Sequence, residues 1–183
     1  MTRRGFIQAA LLMIAVALPL VVSKPSSAAT GREITAAAEQ ALTRLYNESP
    51  TAREYGRKAK GILVFPEITK AGIGVGGSYG EGVLFVDGKP VDYYSVGSGS
   101  LGLTLGAQSF SQVVMFMTNE ALHNFRASKG WEAGVDGSVV AIKEGTAGSM
   151  TMTEDPVVGF IFGQTGLMFD ASFSGSKYTR IRR

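Results

Sequence analysis

The sequence predicts an α+β domain: a curved, largely antiparallel β-sheet or barrel-like core, with two N-terminal helices and one internal helix. Three observations predict it. Apolar residues recur at helical spacing only near the start of the chain and once in its interior. The remainder is a series of short apolar runs broken by turn residues, which is the patterning of a sheet that turns often. Glycine supplies 24 of 183 residues, against ~7% in an average protein. These glycines have no three-residue period, so collagen is excluded and the fold must need close backbone approach or many turns.

The elements follow in order. Residues 32–47 carry Ile34, Ala37, Ala38, Ala41, Leu42 and Leu45 at spacings of three and four, which predicts a helix ending near Asn47. Ser49-Pro50 is a capping residue followed by proline at the first helical position, and it starts a short second helix over residues 50–58. From Gly61 the pattern becomes β. Ile62-Leu63-Val64-Phe65 is a run stopped by Pro66, and residues 71–79 alternate glycine with Ile73 and Val75. Val83-Leu84-Phe85-Val86 meets Asp87-Gly88, a hairpin turn signal, and residues 91–96 resume the strand. Leu101, Leu103 and Leu105 alternate with Gly102, Thr104 and Gly106, and residues 112–117 form another apolar run. Thr118 caps a predicted helix over 119–128, with Gly130 beyond it. Strands are then expected over 135–142, 149–153, 157–162, 167–173 and 178–181, with a turn at Gln164-Thr165-Gly166.

Residues 1–29 read as an export signal. Arg3 and Arg4 precede an uncharged apolar run of 14 residues, 9–22, and Ser27-Ala28-Ala29 supplies the small residues that a signal peptidase needs. The run contains Pro19 and is shorter than the ~20 residues of a spanning helix. Thr2-Arg3-Arg4-Gly5-Phe6-Ile7-Gln8 resembles the bacterial twin-arginine consensus, and Lys24 near the cleavage site fits that route. The expected product is residues 30–183, periplasmic or secreted and peripheral to a membrane. Removing Arg3, Arg4 and Lys24 from the 18 basic residues leaves as many basic as the 15 acidic ones. A formally neutral, exported domain offers nucleic acid no general attraction.

The composition also narrows the chemistry. Without cysteine there is no disulfide framework, thiolate metal site, cysteine nucleophile or lipidated cysteine. A single histidine, His123, makes a multi-histidine metal site impossible, and no Gly-x-Ser-x-Gly elbow offers it a serine to activate. Glu132 and Asp136, four apart, would share one face of a strand as paired carboxylates, with surface placement as the simpler account. No cofactor, metal or catalytic residue is expected. Gly72-Ile73-Gly74-Val75-Gly76-Gly77 matches G-x-G-x-x-G in form, but no helix follows it, so a dinucleotide site is not expected. The period of two instead puts Gly72, Gly74 and Gly76 on one strand face, opposite Ile73 and Val75. That bare face reads as a tight corner of a curved sheet, or alternatively as a groove for an acyl chain. In either case a side chain at Gly74 should overpack a close neighbour.

Ala59-Lys60-Gly61-Ile62-Leu63-Val64-Phe65-Pro66, followed by Lys70-Ala71-Gly72-Ile73-Gly74-Val75-Gly76-Gly77-Ser78-Tyr79-Gly80-Glu81-Gly82, closely resembles the signature of the SYLF domain family. The resemblance continues through Tyr93-Tyr94, Gly106-Ala107-Gln108, Phe116-Met117-Thr118, Gly130-Trp131-Glu132-Ala133-Gly134 and Gly166-Leu167-Met168. It implies a non-catalytic lipid-binding module that prefers anionic phospholipid. Actin and phosphoinositides, the ligands of eukaryotic members, are poor expectations for an exported chain. Membrane contact in the family is associated with the N-terminal helical region and a basic surface.

Two basic clusters are therefore the candidate lipid-binding residues. Arg53, Arg57, Lys58 and Lys60 lie around the second helix, with Lys70 beyond, and Lys177 and Arg180 lie with Arg182 and Arg183 near the end. Each basic group near an anionic surface contributes ~1 kcal/mol. A solvated charged face is the simpler account of both clusters. Trp131 suits a membrane interface or a core, and the second is the simpler expectation. Phe162 and Leu167 beside the expected turn at 164–166 could form an apolar tip. The alternative to lipid binding is an envelope module that scaffolds or binds other envelope proteins through the same sheet surface.

Overall fold

The computed structural model describes residues 29–142, 154–166 and 172–183. The expected signal segment up to residue 28, the expected strand over 149–153 and most of that over 167–173 lie outside the described residues.

Helix α1, Gly31–Glu48, opens on a capping box. The Glu33 amide donates to Thr30 Oγ1 at 3.3 Å, and the Thr30 amide donates to the Glu33 carboxylate at 2.7 Å. Its buried stripe is Ile34, Ala38, Ala41 and Leu45. Ser49 then serves two helices. Its amide donates to the Leu45 carbonyl at 2.8 Å, and its hydroxyl accepts from the Ala52 amide at 2.9 Å to start α2, Pro50–Lys58. The residue is wholly buried, so no water can replace the lost bond when Ser49→Ala removes the hydroxyl. A loss of ~1–2 kcal/mol in a denaturant melt is expected, and an unchanged midpoint would show that Pro50 alone sets the start of α2.

Strands β1, Gly61–Val86, and β2, Lys89–Phe116, form one antiparallel hairpin. Asp87 and Gly88 turn it, both at positive φ (50° and 73°), as the Asp-Gly signal requires. A strand of 26 residues would extend ~85 Å if straight, so the hairpin has to curl. It does so at three register shifts, between Phe65 and Ile68, Ile73 and Val75, and Leu84 and Phe85. One bend is at residues 72–76, where a Cβ on Gly72 would lie 2.4 Å from Gly76 Cα. Bending back brings Gly82 so close to the first half of β1 that a Cβ there would lie 2.3 Å from the Val64 carbonyl oxygen.

Helix α3, Asn119–Ala127, starts from Thr118, whose hydroxyl accepts from the Ala121 amide at 3.1 Å. Strands β3 (Trp131–Glu132), β4 (Val140–Ala141), β5 (Val157–Gly166) and β6 (Lys177–Ile181) complete the described sheet in the order β3-β6-β2-β5-β4. β1 takes one edge of β2. On the other edge β6 pairs with residues 93–97 and β5 with residues 108–116. The ladders are antiparallel except that between β4 and β5.

Alternate residues feed two cores. Ile34, Ala38, Leu45 and Tyr55 of α1 and α2 pack on the outer face, against Val64, Val83, Val113, Met115 and Phe160. The inner, concave face carries Leu63, Phe65, Leu84, Tyr94, Val114 and Phe116, closed by Leu122 and Phe125 of α3, with Trp131 and Tyr178. Trp131 is thus a core residue.

Several expectations are corrected. Pro66 does not stop a strand; it sits at a register shift, where a residue without an amide hydrogen is tolerated. Residues 135–142 do not form one strand. Only Val140–Ala141 does, because the chain turns after Glu132 and Asp136 Oδ2 accepts from the Glu132 amide at 2.7 Å. Glu132 and Asp136 are therefore a local turn and not a carboxylate pair on a strand face. Residues 164–166 are no turn but the end of β5, with Thr165 opposite Ser109 and Gly166 opposite Gln108. Gly74 does not share a packed face with Gly72 and Gly76. It lies in a bulge at φ 73°, and a Cβ there would meet nothing within 4 Å. The obstacle to a side chain at Gly74 is backbone conformation, not overpacking.

Candidate functional site

The short helix α2 buries Ala52 and Tyr55 and leaves Arg53, Glu54, Arg57 and Lys58 exposed. Tyr55 anchors it, with its ring edge-on to Phe160 at 6.0 Å. The Arg53 guanidinium donates to the carbonyl of Tyr46 at the end of α1, which ties the two helices together. Lys58 pairs with Glu54 one turn earlier at 3.8 Å, on open surface where such a pair contributes little. Arg57 and Lys60 line a groove of about 430 Å³ between α1, α2 and the Asp87-Gly88 turn. Half-buried Leu42, Tyr46 and Ile62 give it apolar walls, and Glu39 and Asp87 also line it. Basic groups beside an apolar groove are the arrangement by which a long side chain lays its stem on hydrocarbon and its charge on phosphate.

The other expected residues are not brought to this groove. Lys70 lies on the inner face of β1, beside Ser78 and Ser98. Lys177 and Arg180 fall on opposite faces of β6, because their odd separation along a strand places them so. Arg180 is engaged with the fold. It donates to the Arg126 carbonyl at 2.8 Å, lies 3.7 Å from Asp92 Oδ2 and stacks its guanidinium 5.9 Å from the Tyr94 ring centre. Burial pushes the Tyr94 hydroxyl above its ordinary pKa, with Arg180 acting against that shift. Arg183 is likewise tied to Glu81, and its hydrogen bond holds that carboxyl below the usual range. His123 lines a shallow cleft with Arg126 and Arg180.

The bend in the hairpin is a second exposed feature. Ile73 and Val75 are 83% and 65% exposed. No charged residue occurs between Lys70 and Glu81 or between Asp92 and Glu120, so both strands of the bend are uncharged. Among the described residues, no helix is long and apolar enough to cross a membrane.

Residues 97–182 match the Ysc84 family, described as Las17-binding protein actin regulator. The match runs from residue 97, in the first third of β2, through β6. The chain belongs to the SYLF domain family. Beta cell expansion factor A of Aeromonas veronii is 33% identical to it over 147 residues, 79% of this chain. The chain spans 55% of the length of that relative. The SYLF assignment agrees with the signature at residues 59–82, which the structure places from the end of α2 along β1 through the bend.

Sequence reasoning singled out charges and missed their surroundings. The apolar groove walls Leu42, Tyr46 and Ile62 come from two elements, and only the packing of α1 and α2 on the hairpin brings them together. Helical spacing did mark Leu42 as part of an apolar stripe, and that was the available signal.

Proposed function

We propose that this SYLF domain is a non-catalytic phospholipid-binding module that acts outside the cytoplasm and favours anionic headgroups. The observation that carries the proposal is the groove beside α2, whose lining Arg57 and Lys60 share with Leu42, Tyr46 and Ile62. Arginine grips a phosphate through two parallel hydrogen bonds, lysine adds a point charge, and the apolar walls take hydrocarbon. The uncharged bend at Ile73 and Val75 supplies a second apolar contact. The Arg-Arg start of residues 1–29 supports the extracytoplasmic location. The actin role in the family description is a property of the proteins so described. An exported chain meets membrane surface in its place.

Arg57→Glu combined with Lys60→Glu replaces attraction by repulsion at the groove and leaves both cores untouched. Sedimentation with phosphatidylglycerol vesicles is expected to fall about tenfold or more, since each charge near an anionic surface contributes ~1 kcal/mol. Wild-type binding should also weaken as salt rises to ~0.15 M, where the screening length is ~8 Å. The exposed Lys129→Glu is the control. Equal binding by the double variant would remove the groove as the contact. Absence of wild-type binding at low salt would overturn the lipid reading in favour of an envelope-protein partner.

A further inference from the structure

The concave face of the sheet changes character along its length. Near α3 it is aromatic, with Phe65, Tyr94, Phe116 and Tyr178. Toward the bend the same face becomes polar. Paired residues of an antiparallel ladder project to one side, so Lys70 and its partner Gln108 lie together, and so do Ser78 and Ser98. The two serine hydroxyls are 2.8 Å apart. Gln112, on the same face, donates its amide to the Tyr178 hydroxyl at 3.0 Å. Ser172, Ser174 and Ser176 approach from the segment before β6 and complete a cleft of about 100 Å³. Among the described residues its lining holds one ammonium, five hydroxyls and no carboxylate.

Gln108, the ladder partner of Lys70, lies beside the cleft lining and adds an independent observation. It is 3% exposed, and neither atom of its carboxamide has a hydrogen-bond partner among the described residues. Native proteins rarely leave such a group unsatisfied, because the desolvation cost is not recovered.

We propose that this polar mouth binds an oxyanion of the phosphate class, held by Lys70 and the serine hydroxyls, with Gln108 as a further donor. A hydroxyl donates as readily as it accepts, and an ammonium only donates, so the lining favours a ligand rich in acceptor oxygens. For the source of the phosphate the inference rests on the lipid reading above, which makes it a headgroup. The site itself is equally suited to free phosphate.

The test uses the full chain, titrated calorimetrically with inorganic phosphate and with the soluble headgroup glycerophosphoglycerol, with chloride at matched ionic strength as the blank. Saturable binding is expected, weakened about tenfold by Lys70→Met and several-fold by Ser98→Ala. Ser98→Ala deletes one hydroxyl and keeps the test decisive if Lys70→Met melts early. Gln108→Leu should weaken binding while raising the ligand-free melting temperature, a combination that a purely structural residue would not give. Binding of phosphate and headgroup alike, with vesicle sedimentation reduced in Lys70→Met, supports a headgroup site. Phosphate binding without any effect on vesicles supports a site for free phosphate. No saturable binding of either probe, or wild-type affinity in all three variants, overturns the proposal. If vesicles still sediment in that case, the lipid reading stands without it.

Discussion

Phe125→Ala is expected to lower the melting temperature by roughly 10 °C or more, equivalent to ~3–5 kcal/mol. Phe125 is the more deeply buried of the two α3 residues in the concave core. Its ring centre lies 4.6 Å from Phe116, 4.9 Å from Tyr94, 5.7 Å from Trp131 and 6.2 Å from Tyr178. These four rings come from β2, β3 and β6, so the cavity left by truncation cannot collapse without moving three strands. Leu122 lies at the edge of the same core and is 8% exposed, which makes Leu122→Ala the milder comparison. Near-native melting of Phe125→Ala would mean that the aromatic end of the sheet holds together without α3.

Gly82→Ala is the second large effect, and its cause is the reverse, addition in place of removal. The new methyl group would lie 2.3 Å from the Val64 carbonyl oxygen and 2.6 Å from Phe65 Cδ1. The first of these is backbone held in a ladder and cannot swing aside, so the two halves of β1 must separate. A cost of ~3 kcal/mol, the upper end of the usual overpacking range, is expected from denaturant melts. Gly77→Ala is the matched control on the same strand, since its added carbon meets only the Ser98 carbonyl oxygen at an ordinary 3.5 Å. If the two variants melt together, the halves of β1 do not pack as closely as described.

Features fixed by adjacent residues were legible in the sequence. Ser49-Pro50, Thr118 and Asp87-Gly88 act through bonds to residues two to four away, and each does what its spacing implied. The continuity of β1 and β2 was not legible, because a bulge and a strand end look alike in one strand alone. Pro66 sits at a bulge that read as a break, and Gly74 at one that read as regular alternation. Register was lost for the same reason. Counting back from the Asp87-Gly88 turn places Ser78 opposite Gly97, and the irregularity between Leu84 and Phe85 moves it by one residue to Ser98. A slip of one turns a side chain to the other face, so the polar mouth was hidden although all its residues were in view. Of the basic clusters, the one on α2 is local and was read as a group. The other was split by the two-residue period of β6 and by Asp92, which engages Arg180 from far along the chain.

The position of β6 has a kinetic consequence. β1 and β2 meet across a two-residue turn, so their ladder zips locally. β6 instead docks on the first half of β2 with Ser95 and Thr179 84 residues apart. Loop-closure entropy grows as about (3/2)RT ln n, so this pairing costs roughly 3 kcal/mol more to initiate than the hairpin. Until it forms, Tyr178 is missing from the concave core, and Tyr94 and Trp131 face solvent on their unfinished side. The chain must therefore carry an aromatic, half-built sheet through much of its folding, at the stage when such surfaces adhere most readily to other chains.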